Sequence, residues 1–187
     1  MDSLVKQVAP TSGRVGAPHI VGSGSIVLPA DRGFNVVRNF VVSRATGISG
    51  ISPRFEHYFL SDASWEECPV DRRRIFFHRA EVSVNDQCIV SEFGFQRMPM
   101  ILQLRDVLWF VRRQRGSDHG DDALAKKRGV RNVFCVEDHN EKHFMVFPVW
   151  DKESEGFTLD VFIPDLFEEA KKRWSADTRF FSHGPIA

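Results

Sequence analysis

Two stretches of this chain restrict its fold more than any other feature, each being a pair of strand-like runs joined by a short polar turn. Ile75 to Val84 and Gln87 to Phe95 flank Asn85-Asp86, residue types that tolerate the positive φ of a tight hairpin. Val130 to Glu137 and His143 to Trp150 flank Asp138 to Lys142, and Phe157 to Ile163 follows as a third strand after the polar turn Asp151 to Gly156. Each group is followed by a helical pattern. Met98 to Gln114 carries Ile101, Leu104, Leu108 and Val111 at i, i+3, i+7 and i+10, with Pro99 suited to a first turn and Arg112 and Arg113 at the C-terminal end. Asp165 and Glu168 have capping-box spacing, while Leu166, Phe167, Ala170 and Trp174 supply an apolar stripe ending in Lys171, Lys172 and Arg173. The expectation is an α+β fold, a largely antiparallel sheet built from hairpins, with two main helices at about 98–114 and 165–174 packed on it.

The remaining segments are less regular. Residues 1–18, rich in Gly and Pro, read as a flexible N-terminal arm, and 19–187 as a single α+β domain. Ile20 to Leu28 and Phe34 to Ser43 read as strands, Thr46 to Pro53 as a loop, and Phe55 to Leu60 as a short strand or a helical turn. Arg115 to Arg131 reads as a loop or weak helix. A chain of 187 residues with 42% apolar residues is long enough for one core without staples. Its longest apolar stretch, Met98 to Val111, is broken by Gln103, Arg105 and Asp106, short of the roughly 20 residues of a membrane span. The N-terminus lacks the basic and apolar regions of a secretory signal. Cys68, Cys88 and Cys135 form no close CxxC pair, which points to reduced thiols and a cytoplasmic location.

Charge is uneven along the chain although it sums to zero. Residues 1–71 hold 6 cations and 7 anions, residues 72–131 hold 13 and 7, and residues 132–187 hold 6 and 11. Eighteen of the cations are Arg and 7 are Lys, so the basic middle is dominated by planar guanidinium groups suited to carboxylates, phosphates and aromatic faces. A GC-rich genome explains the same bias.

Clusters with catalytic potential each have a local explanation. His139 and His143 have i, i+4 spacing near Glu137, Asp138 and Glu141, but HExxH is absent and the segment reads as a turn. A metal site drawing on Asp118, His119, Asp121 or Asp122 is the alternative. Glu169-Ala170-Lys171 has the spacing of a carboxylate nuclease, yet falls in the second helix where its charges serve the helix ends. Cys135, the candidate nucleophile beside His143 and Asp160, sits in a strand that reads as buried. Val21 to Ser25 resembles a phosphate cradle, but a strand follows it where a helix is required.

What remains is a basic and aromatic middle. Arg72, Arg73, Arg74 and Arg79, with Arg112, Arg113 and Arg115, form the candidate contact surface. Such a mixture binds phosphates and bases, and Arg and aromatic residues also anchor protein interfaces. A pI of 7.1, against the value above roughly 9 usual for nucleic-acid binders, favours a protein partner carrying acidic groups. The sequence therefore suggests a non-enzymatic binding protein that recognises or inhibits a macromolecular partner, with no catalytic residues, metal or cofactor. The alternatives are a nucleic-acid-binding protein or metal-dependent nuclease on the same surface, and a metal-dependent hydrolase around His139 and His143.

Overall fold

The computed structural model describes residues 20–85, 101–114, 124–126, 130–162 and 173–183. One large sheet organises them. Its strands are β1 (Ile20–Leu28), β3 (Ile48–Ile51), β5 (Arg73–Ala80), β7 (Ile101–Leu102), β8 (Asn132–Glu137), β9 (His143–Asp151), β10 (Gly156–Phe162) and β12 (Arg179–Ser182). They run in the order β1-β5-β12-β8-β9-β10-β3, with β7 added beside β8. Two short ladders complete the strand set: β2 (Phe34–Asn35) with β4 (Glu66–Glu67), and β6 (Val84–Asn85) with β11 (Arg173–Trp174).

The hairpin expectation holds at one place. The β8–β9–β10 meander matches the predicted strands within two residues, antiparallel throughout. Elsewhere the prediction of a largely antiparallel sheet with two main helices is wrong, because the sheet is mixed. β3 lies parallel to β10, and β12 and β7 lie parallel to β8 along successive lengths of one edge. β5 is paired on both sides, by β1 and β12, and so is not one arm of a hairpin turning at Asn85-Asp86. Gln87 to Phe95 lies outside the described residues.

Both helix predictions also need correction. Ile101 and Leu102 join the sheet, and the first helix, α3 (Leu104–Gln114), starts only beyond them. It starts there because the amides of the first turn find acceptors. Asp106 takes the Gln103 amide at 3.0 Å, and Glu67, arriving from β4, takes those of Leu104 and Arg105 at 2.6 and 3.0 Å. At the other predicted helix, residues 163–172 lie outside the described set, and Arg173–Trp174 is extended and paired with β6. Phe34 to Ser43 is a strand for only two residues. Asn35 accepts from the Arg38 amide at 2.8 Å and caps a helical turn, α1 (Val36–Asn39). Ser52 caps α2 (Pro53–Phe55) in the same way, and this runs into a π-helical turn over Glu56–Leu60.

The sheet is covered on one face and partly covered on the other. On one, Ile75, Phe134, Val136, Phe144, Val146, Leu159 and Phe181 meet the apolar stripe of α3 and the helical turns, with the Phe134 and Phe181 rings stacked 4.1 Å apart and Phe110 against both. On the other face, Met145, Phe147, Trp174 and Phe180 form a smaller cluster. Strand β1 contributes to both faces through a bulge between Gly22 and Gly24. Before it Ile20 opposes Ala80 in the smaller cluster, and after it Ile26 and Leu28 belong to the larger. Gly24 lies under the Phe77 ring, where a β-carbon would come within 2.5 Å of it.

Candidate functional site: an arginine-lined cleft

α3 presents two stripes. Leu104, Val107, Leu108 and Val111 face the core, while Arg105, Trp109, Arg112 and Arg113 recur at i, i+4, i+7 and i+8 along another side. The second stripe forms one wall of a cleft of about 480 Å³. The end of β1 and the loop after it, from Leu28 to Phe34 but without Arg32, line the cleft too, as does Arg73 from β5.

Arg105 is held by a socket built from two neighbouring strands. Phe34 and Glu67 are directly opposed across β2 and β4, and both engage the guanidinium. Glu67 Oε2 accepts from Nε at 3.2 Å, the Glu67 and Cys68 carbonyls accept from Nη2 at 2.7 Å each, and the guanidinium carbon lies 5.4 Å from the Phe34 ring centroid. Burial pushes the Glu67 carboxyl above its usual range, against the amide and guanidinium donors that favour its charge. Arg73 pairs with the buried Asp106, and burial, then the neighbouring Arg105 charge, lowers its pKa. Arg112 and Arg113 are exposed: the first donates to Asn39 Oδ1 at 3.4 Å, and the second stacks 5.1 Å over Trp109.

The seven predicted contact arginines therefore divide. Arg73, Arg112 and Arg113 are brought together in the cleft. Arg74 is exposed and differs from Arg73 in strand parity, which places it toward the other sheet face, while Arg72, also exposed, precedes β5 and does not line the cleft. Arg79 lies six residues along β5, about 20 Å away by strand rise, in a second hollow with Lys126, Asp177 and Arg179. Arg115 lies outside the described residues. Arg105 was missed as a site residue, although its i, i+4, i+7, i+8 relation to Trp109, Arg112 and Arg113 was visible in the sequence.

The competing chemistries find little geometry. Asp138 Oδ1 accepts from the amides of Asn140 and Lys142 at 2.8 and 2.9 Å, and so builds the turn that carries His139. His139 and His143 are exposed, and no cluster of three or more His, Cys, Asp or Glu residues suited to a metal occurs among the described residues. Asp118, His119, Asp121, Asp122 and Glu169-Ala170-Lys171 lie outside them. Cys135 is buried, and burial followed by the Glu137 charge pushes its thiol up to about 12. No helix among the described residues is long and apolar enough to cross a membrane. No protein-family model, curated protein or solved structure matches this chain.

Proposed function

We propose that this chain is a non-enzymatic binding protein that recognises acidic groups of a protein partner through the arginine cleft beside α3, in a reducing compartment such as the cytoplasm. The convergence of Arg73, Arg105, Arg112 and Arg113 on one concave site carries this reading. Arginine and tryptophan are the residue types that dominate binding energy at protein interfaces, and here both line a recess. Free thiols at Cys68 and Cys135 fit a reducing compartment.

A nucleic acid fits the site less well. Its backbone needs an extended cationic track, whereas this cleft is local and holds Asp31 and Asp106 among its arginines. The test is fluorescence anisotropy with a glutamate-rich peptide and with single- and double-stranded DNA and RNA, at two salt concentrations. Peptide binding is expected, with loss in the double variant Arg112→Gln, Arg113→Gln and a nearly unchanged melting temperature. Tighter oligonucleotide binding with a steep salt dependence would transfer the site to nucleic acid.

A further inference from the structure

The two recessed arginines of the cleft have hydrogen-bonding capacity left over. Arg105 is 4% exposed and commits Nε and Nη2 to Glu67 and Cys68, but its buried Nη1 has no hydrogen-bond partner among the described residues. Arg73 directs Nη2 to Asp106, and its buried Nε likewise finds no hydrogen-bond partner among the described residues. Leaving a buried charged donor unpaired is unfavourable, so two in one recess call for an explanation. Asp31 stands beside this seat without filling it: its Oδ2 lies 3.8 Å from Arg105 Nη1, too far for a hydrogen bond, and its side chain is 43% exposed.

The geometry points to a carboxylate of the partner as the group that fills this seat, its oxygens accepting from Arg105 Nη1 and Arg73 Nε. This rests on the cleft reading above and adds the chemical class of the ligand. Charge balance selects the class. Among the described residues, the four arginines Arg73, Arg105, Arg112 and Arg113 face the three carboxylates of Asp31, Glu67 and Asp106, a formal excess of about one positive charge. A carboxylate matches that excess, whereas a phosphate ester, at roughly −1.5 to −2, overshoots it beside three resident carboxylates. Arginine forks suit carboxylates geometrically, and Leu28, Leu108 and Trp109 offer apolar walls for the methylene stem of a glutamate.

Asp31 is then a resident competitor, and this makes the seat testable without dismantling it. Asp31→Asn keeps the oxygen that accepts from the Gly33 amide at 3.2 Å but removes the competing charge. With the full chain, a labelled penta-glutamate peptide is titrated against penta-glutamine and inorganic phosphate, followed by anisotropy and by the side-chain Nε–Hε resonance of Arg73. A saturable shift of that resonance with penta-glutamate alone is expected, with about three-fold tighter binding to Asp31→Asn. Tighter binding of phosphate, or unchanged affinity in Asp31→Asn, overturns the carboxylate seat. If the peptide binds through Arg112 and Arg113 while the Arg73 resonance stays still, the cleft reading stands and the seat falls. If the peptide binds neither protein, both fall.

Discussion

Arg105 Nε lies 3.2 Å from Glu67 Oε2, with the two side chains only 3% and 5% exposed, and this contact joins the start of α3 to β4. Glu67 serves two purposes at once. It accepts the first two helix amides and neutralises the guanidinium beside them.

Breaking that pair leaves the buried cation with only the exposed Asp31 carboxylate, 3.8 Å from Nη1, which is far worse than never having had the pair. Glu67→Gln should lower stability by about 3–5 kcal/mol. Denaturant unfolding, read as a fall in the midpoint at constant slope, checks it. A loss below about 1 kcal/mol would mean that water or another carboxylate takes over the role of Glu67.

The stacked Phe134 and Phe181 rings join two strands that lie far apart in sequence, β8 and β12, in parallel register. Both are fully buried, with Phe110 of α3 completing the group. Phe134→Ala removes a ring from between helix and sheet, and the cavity should lower stability by about 3–5 kcal/mol. Thermal unfolding followed by circular dichroism measures this, and a shift as small as that of a surface substitution would show that the core collapses into the space.

The elements legible in the sequence were those closed by nearby residues. The β8–β9–β10 meander and the strand Ile20–Leu28 emerged because alternation and turn chemistry act within a few residues. What was missed depends on distant partners. Nothing local in Ile101-Leu102 says that Cys135-Val136 will pair with it, and nothing in Leu104 says that Glu67, 37 residues earlier, will satisfy its amide. The site followed the same rule. Arg112 and Arg113 were found from local charge, whereas Arg105 looked like an ordinary polar-face residue until Phe34 and Glu67 enclosed it.

Thiol reactivity should separate Cys68 from Cys135. Cys68 is exposed, while Cys135 is buried in β8 with its thiol pushed up to about 12. At pH 8 the reactive thiolate of Cys135 is on the order of one part in ten thousand. Iodoacetamide followed by peptide mass mapping should modify Cys68 within minutes and Cys135 only after denaturation. Comparable rates at the two positions would show that β8 opens readily in the native protein.

His183 gives stability a pH dependence whose sign is fixed by its surroundings. Burial lowers its pKa below the ordinary imidazole value of 6.5, the nearby Arg73 cation lowers it further, and a backbone bond at Ile101 opposes both. The unfolded chain therefore takes up this proton more readily than the folded one, so stability is lost as pH falls from above 6.5 toward the lowered value in the folded protein. Glu67 tilts the other way, because its raised pKa means the folded protein holds that proton more tightly. Comparing the wild type with His183→Gln isolates the histidine, since Glu67 is common to both. Unfolding midpoints measured from pH 7.5 down to pH 5 should converge at acid pH if wild type starts the more stable. They should separate there, with the variant ahead, if the two start equal. Parallel curves across the whole range would mean that His183 is protonated alike in both states, and that Arg73 does not act on it through space.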